Sequence, residues 1–368
     1  MDEHAVRAVL EGGGGLAGRA ARAALWLPGK AYGVAMTLRR AAYGRRIFSS
    51  FPAGVPVVSI GNLTAGGSGK TPLTVLLARD LAAGGRKPAI LMRGYRSAGG
   101  VSDEAALYAR LVPEAILEVN PDRCAGAAAA ARRGADVVLL DDGMQHLRLQ
   151  RDLDIVLIDA TSPWGGGNTI PGGLLREPKS ALAVSGAIVI TRSDQVAPGV
   201  VSALEKEMGR RVPGVPVFTA RHRPARLFRL DNAPVPLEAL RERNVVALSS
   251  IARPEAFRAT LTGLGAVVIG SVACPDHHDL DRKTVLSALA MAEAGGAMVV
   301  ITEKDRAKKI FADLSPKSAD KDIMGPHGHS NVYKGIWTLG IEQEIDGRHR
   351  LLALIEKTLR AFPSRALE

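Results

Sequence analysis

The sequence predicts an α/β fold, with one doubly wound parallel sheet followed in the chain by a second, smaller α/β domain. Three observations carry this. From residue 55 onward, short β-branched runs recur that are almost continuously apolar, as strands buried on both faces of a parallel sheet are. Alanine-rich stretches separate them, long enough to be crossover helices. After a proline-rich interval the same alternation resumes.

Residues 1–48 stand apart from this pattern. The first twenty or so are glycine-rich and expected to be loose. Residues 20–48 read as a basic amphipathic segment interrupted at Pro28-Gly29. Leu25, Trp26, Leu27, Tyr32, Val34, Met36 and Leu38 supply apolar contacts, and Lys30, Arg39, Arg40, Arg45 and Arg46 supply charge. Such a segment suits an anionic membrane interface. It equally suits an ordinary surface helix packed on its own domain.

Residues 49–212 make the main domain. Strands are expected at 55–60, 88–92, 136–140, 154–158 and 187–191, with helices at 72–83 and 123–133. Pro213, Pro216, Pro224, Pro234 and Pro236 then break the rhythm, so 213–240 reads as a linker with an extended ribbon near Val217–Asp231. Residues 241–368 form the smaller domain, with strands at 244–250, 266–271 and 297–302 and a polar loop after about residue 312.

Composition excludes several classes. The 368 residues, 46% hydrophobic and 23% charged, are globular and fit two domains. Two isolated cysteines, Cys124 and Cys274, leave no disulfide framework or CxxC zinc site, and fit a reducing compartment. Aromatic residues at 4% are too few for a single-strand stacking platform. A net charge of +11 favours polyanionic partners. No apolar run reaches the ~20 residues that cross a bilayer, and the start lacks the layout of a cleaved signal peptide.

The most informative stretch is GNLTAGGSGKTP, residues 61–72, between an expected strand and an expected helix. Its glycines let backbone amides curl around a polyphosphate, and the helix N-terminus adds positive potential. Thr64, Ala65, Gly66, Gly67, Ser68 and Gly69 line this cradle. Lys70 can reach the β- and γ-phosphates, and the Thr71 hydroxyl can hold Mg²⁺. The usual glycine six residues before the lysine is here Thr64. The main domain is therefore P-loop NTPase-like. Asp141 and Asp142 close the run VVLLDDG at the carboxyl end of a strand, where an acid can serve the metal.

GNLTAGGSGKTP, then LMRGYRS (91–97), LLDDGMQHLRLQRDLDIVLIDA (139–160) and LLREPKSAL (174–182) resemble the tetraacyldisaccharide 4'-kinase family of lipid A biosynthesis. PDHHDL (275–280), ITEKD (301–305) and the basic LRRAAYGRR segment fit the same pattern. The resemblance implies transfer of the γ-phosphate of ATP to the 4'-hydroxyl of a tetraacyldisaccharide 1-phosphate, with Mg²⁺. It also implies a lipid A disaccharide precursor and an anionic membrane surface as partners, no nucleic acid, and a monomer bound peripherally at the cytoplasmic face of the bacterial inner membrane.

It further implies roles for single residues. Lys70 and Thr71 match the P-loop lysine and the magnesium ligand. Asp141, Asp142 and Glu177 match acids near the metal. Tyr95 packs by the nucleotide. Arg123, Gln145, His146 and Arg176 line the acceptor side. Asp103, in VSDEA, matches the catalytic base, with His277 as its partner or His278 in its place. The physical need is clear, since a sugar hydroxyl is a weak acid and its attack on phosphorus gains from a proton acceptor. The two domains are expected to form a cleft with the P-loop and the histidine loop on facing walls. Other readings stay open. PDHHDL also fits a metal site or a plain loop, and TRSD (191–194) resembles the base-reading turn of GTPases, so a P-loop GTPase or metallochaperone is the alternative.

Overall fold

The structure is a computed structural model that describes residues 3–94, 103–251, 253–275, 280–308, 310–311 and 335–362. They divide into two compact units. The first takes in the described parts of 1–96, 108–222 and 343–368, and the second those of 97–107 and 223–342.

The first unit holds seven parallel strands: β1 (Val57–Asn62), β2 (Pro88–Met92), β3 (Ile116–Val119), β4 (Val137–Asp141), β5 (Leu153–Asp159), β6 (Ala187–Thr191) and the start of β7 (Val217–Arg229). Their order is β7-β6-β5-β1-β4-β2-β3. Every residue of β1, β2, β4, β5 and β6 is buried, which is why these runs read as unbroken apolar stretches. The helices are α1 (Glu3–Leu10), α2 (Gly15–Gly44), α3 (Lys70–Ala83), the end of α4 (Asp103–Leu111, of which 103–107 belong to the second unit), α5 (Arg123–Arg132) and α6 (Pro198–Arg211). Strand β1 lies centrally between β4 and β5, with Ile60 level with Asp141 and Ile155. The loop after β1 and the acids ending β4 therefore open into the same crevice, where ligands of doubly wound sheets bind.

The second unit carries β8 (Pro234–Val235), β9 (Asn244–Ser249), β10 (Val267–Ala273), β11 (Met298–Thr302) and the start of β12 (Ile336–Ile345), with α7 (Pro254–Gly263), α8 (Arg282–Ala294) and α9 (Glu303–Arg306). Its order β10-β9-β11-β12 is parallel, and β8 lies antiparallel on β7. Val246, Leu248, Val285, Val299, Ile301 and Phe311 form one of its cores.

Within the interval 213–240, the extended ribbon expected near Val217–Asp231 is strand β7, thirteen residues long and partly exposed. Other elements lie outside the sequence expectation. Strand β3 is only four residues long, and β12 carries Gly340 within an otherwise continuous ten-residue strand, so neither stands out by periodicity. Helix α10 (Arg348–Ala361) packs with the first unit, where Arg348 pairs with Asp80 and Glu356 accepts from Arg86 at 2.6 Å.

The largest difference is α2. Residues 3–10 and 15–44 are helical, and α2 runs straight through Pro28 for thirty residues. A proline inside a helix removes one hydrogen bond and costs about 3 kcal/mol. Packing offsets this. Gly29 and Gly33 are buried on one face against Thr169, whose hydroxyl donates to the Gly29 carbonyl. A Cβ on Gly29 would sit 2.7 Å from the Thr169 carbonyl oxygen, and one on Gly33 would sit 3.0 Å from its hydroxyl. Leu16, Leu27, Val34 and Leu38 remain exposed on α2. Among the described residues, no helix is long and apolar enough to cross a membrane.

The close approach at Gly29 makes a testable demand. Gly29→Ala should lower stability by about 1–3 kcal/mol, read as a lower urea midpoint. Gly44→Ala, where an added Cβ meets nothing within 4 Å, should not lower it. Equal midpoints for Gly29→Ala and the parent would contradict this packing.

Candidate active site

The loop between β1 and α3 is built by its own residues and by a second loop laid against it. Gly66 and Gly69 adopt φ of 106° and 90°, a region closed to most side chains, and Gly69 turns the chain into α3 at Lys70. Thr64, standing where a glycine is usual, is held by strand-like pairing with Leu175. Ala65 donates to the Leu174 carbonyl at 2.7 Å, and the Arg176 amide donates to the Leu63 carbonyl at 2.7 Å. The segment 174–177 is thus stitched by main-chain bonds to the phosphate loop. Behind the loop, the Thr191 hydroxyl donates to the Ser68 carbonyl at 2.8 Å, and Arg192 donates to the Gly67 carbonyl at 2.9 Å while pairing with buried Asp159. Arg192 of TRSD therefore braces the loop from behind.

Asp142 sits at the mouth of this loop with φ of 53°. Gly143 donates to the Ile60 carbonyl, and a Cβ on Gly61 would lie 2.6 Å from the Met144 Cβ. Only glycine at 61 lets the acidic loop fold so close to the end of β1. The Asp142 carboxylate accepts from Arg176 at 2.7 and 2.9 Å, and Lys70 Nζ lies 3.3 Å from it. Burial pushes the Asp142 carboxyl up, but Lys70 and Arg176 outweigh it and hold it below the usual carboxylate range. Lys70 also donates to Asn62 Oδ1 at 3.0 Å, and Gln145 donates to the Asn62 carbonyl at 3.0 Å.

The two adjacent acids diverge. Asp141, buried at the end of β4, accepts from the Tyr108 hydroxyl at 2.9 Å. Glu177 is 1% exposed; its Oε2 accepts from Arg40 at 2.5 Å, and its Oε1 is buried with no hydrogen-bond partner among the described residues. A buried oxygen in that state, with the Thr71 hydroxyl in the first turn of α3, is a donor set that fits Mg²⁺. No cluster of three or more His, Cys, Asp or Glu that could cage a metal occurs among the described residues. That is compatible with Mg²⁺, which usually takes one or two carboxylates and leaves other positions to water and phosphate.

Arg123 is buried at the start of α5 and donates to the Asn120 carbonyl at 2.9 Å. Its charge, with that of Arg151, bears on His146, whose ring is pushed down to about 4, chiefly by burial. Hydrogen bonds and ion pairs thus join Lys70, Asp142, Gln145, Arg176 and Asn62 in one cluster. Arg123 and His146 form a neighbouring one. Tyr95, His277 and His278 lie outside the described residues, as does the side chain of Asp103, whose backbone opens α4.

Sequence reasoning missed Asn62, Tyr108, and the true bonding of Arg39 and Arg40. Arg39 donates to the Gln145 carbonyl and Arg40 to the Met144 carbonyl, each at 3.1 Å. Of the two readings open for this segment, packing on its own domain describes Arg39 and Arg40, which face the acidic loop. Lys30, Arg45 and Arg46 remain exposed. Nothing in residue type separates the two groups; only the helical phase of an unbroken α2 does.

The family model described as Tetraacyldisaccharide-1-P 4'-kinase matches residues 21–360. A tetraacyldisaccharide 4'-kinase of Anaeromyxobacter sp. (strain Fw109-5) is 41% identical over 320 residues, spanning 81% of this chain and 84% of that one. One from Syntrophus aciditrophicus is 39% identical, spanning 75% of this chain and 81% of that one. The crystal structure of the "apo" form of LpxK from Aquifex aeolicus in complex with ATP is similar with a TM-score of 0.68 and 26% identity, covering 92% of this chain and 99% of that one.

Two buried imidazoles give the unit a predictable response to acid. His222 Nε2 is sealed from solvent near Gly69, and burial, then the charge of Arg192, push this ring down to about 4. His146 behaves alike. In the unfolded chain both titrate near ~6.5, so the unfolded state takes up protons first as pH falls. The stability they contribute is complete above pH ~6.5 and is lost progressively toward pH ~4. Thermal unfolding should show a midpoint that drops between pH 6 and 4.5. His222→Gln should flatten that drop, removing roughly one proton of uptake on unfolding at pH 5. An unchanged slope in this variant would contradict the assignment.

Proposed function

The chain belongs to the Tetraacyldisaccharide-1-P 4'-kinase family, and from that premise we propose what each residue of the site contributes. The reaction is transfer of the γ-phosphate of ATP to the 4'-hydroxyl of a tetraacyldisaccharide 1-phosphate in lipid A biosynthesis, with Mg²⁺. The observation that carries the residue assignments is the charge cluster at the loop mouth, where Lys70 and Arg176 both hold Asp142.

The loop amides of Thr64–Gly69 bind the phosphate chain, and Lys70 Nζ neutralises charge on its β- and γ-oxygens. Thr71, Asp141, Asp142 and Glu177 would hold Mg²⁺ as oxygen donors, directly or through water. When bound, Mg²⁺ supplies charge neutralisation across the β- and γ-phosphates. Arg176, Gln145, Arg123 and His146 orient the acceptor. Asp103 takes the proton from the 4'-hydroxyl, and His277, or His278 in its place, orients that carboxylate. Tyr95 packs beside the nucleotide. Most of the rate gain then comes from positioning and fixed charge, because transfer of a phosphoryl group leaves little covalent chemistry to the protein.

Helix α2 is the membrane-facing element. Its exposed Leu27, Val34 and Leu38, with Ile47 and Phe48 just beyond, form an apolar side at 50–69% exposure. Exposed Lys30, Arg45 and Arg46 flank that side with positive charge suited to anionic headgroups. The chain acts there as a monomer, peripherally, on the cytoplasmic face of the inner membrane.

Purified protein given ATP, Mg²⁺ and the disaccharide 1-phosphate in detergent–lipid micelles should form ADP and the 4'-phosphorylated lipid in equal amounts. Lys70→Ala and Asp142→Ala should each lower kcat/KM about 10³-fold or more. Asp103→Ala should lower kcat strongly with ATP binding retained; a near-normal kcat would transfer the base role to another acid. Leu27→Glu with Leu38→Glu should shift the protein from anionic vesicles to the supernatant. Cosedimentation equal to that of the parent would refute the membrane face.

A further inference from the structure

We infer that Arg40 is a positioning residue for Glu177, so that α2 belongs to the metal-handling edge of the active site as well as to the protein's lipid-facing side. The inference rests on the reading of Glu177 as a metal-side carboxylate. Arg40 leaves the inner face of α2 with its side chain 16% exposed. One nitrogen, Nη2, donates both to Glu177 Oε2 at 2.5 Å and to the Met144 carbonyl at 3.1 Å. The neighbouring Arg39 donates to the Gln145 carbonyl. Two adjacent helical residues therefore hold the acidic loop directly after Asp142 and the carboxylate beside Arg176.

The chemistry explains why a cation is needed there. A carboxylate 1% exposed is costly to keep ionised without a countercharge. Arg40 supplies that charge, fixes one oxygen, and leaves Oε1, which has no hydrogen-bond partner among the described residues, for a ligand. A planar guanidinium can span a carboxylate and a carbonyl at fixed angles, which an ammonium does less well. Helix α2 itself is seated elsewhere, by Gly29 and Gly33 on Thr169. Loss of Arg40 should therefore disturb Glu177 without dislodging the helix.

The experiment measures Mg²⁺ dependence twice in the full-length protein: by ADP release in micelles with lipid acceptor, and by binding of a fluorescent ATP analogue without acceptor. Arg40→Met should raise the Mg²⁺ midpoint about tenfold in both, as loss of an outer-shell partner typically does. Arg40→Lys should fold, keep the charge, and raise the midpoint about threefold. Lys206→Met, an exposed charge on α6, should leave the midpoint unchanged. In a Glu177→Gln background, Arg40→Met should add less than twofold. If Glu177→Gln alone has the parent's midpoint, the reading of Glu177 falls and the inference with it. If Glu177→Gln is shifted while Arg40→Met and Arg40→Lys match the parent, the inference alone is overturned. Full multiplication of the two single effects would likewise overturn it. Should Arg40→Met fail to fold, the Arg40→Lys midpoint decides.

Discussion

A carboxylate held between two cations organises this site. Asp142 lies in a left-handed backbone conformation at the end of β4, with Lys70 on one side and Arg176 on the other. Lys70 comes from the phosphate loop, and Arg176 from a segment stitched to that loop by main-chain bonds. Both cations are thereby partnered by one carboxylate, which offsets the repulsion between neighbouring like charges.

That constraint explains features that look unrelated in the chain. Gly61 and Gly143 leave no room for a side chain because the acidic loop must reach back over β1. Thr64 can replace the usual glycine because pairing with Leu175 fixes its backbone. Arg192 and Asp159 form a buried pair whose role is to carry the loop from behind. Arg39 and Arg40 extend the same scaffold to α2, which is thereby bonded to the acidic loop and to Glu177.

Much of this was legible in the sequence, and the limits have physical causes. The buried parallel strands β1, β2, β4, β5 and β6 announce themselves because both of their faces are covered. The phosphate loop is legible because its conformation is local and needs glycine. The sequence of α2 reads as interrupted because Pro28 is a local signal, whereas the packing of Gly29 and Gly33 that overrides it is not. Which cations of this segment face inward is illegible for the same reason, since only helical phase decides it. The divergence of Asp141 toward Tyr108 and Asp142 toward Lys70 depends on one left-handed residue that composition does not reveal.

The account turns on Lys70 exchanging the Asp142 carboxylate for phosphate oxygens within the glycine cradle. The most direct test is a crystal structure with Mg²⁺ and a non-hydrolysable ATP analogue. It should show the triphosphate along residues 64–71, with Lys70 Nζ moved onto the outer phosphates and Arg176 still on Asp142. A triphosphate bound elsewhere, or a Lys70 that stays on Asp142 while the cradle is filled, would contradict it.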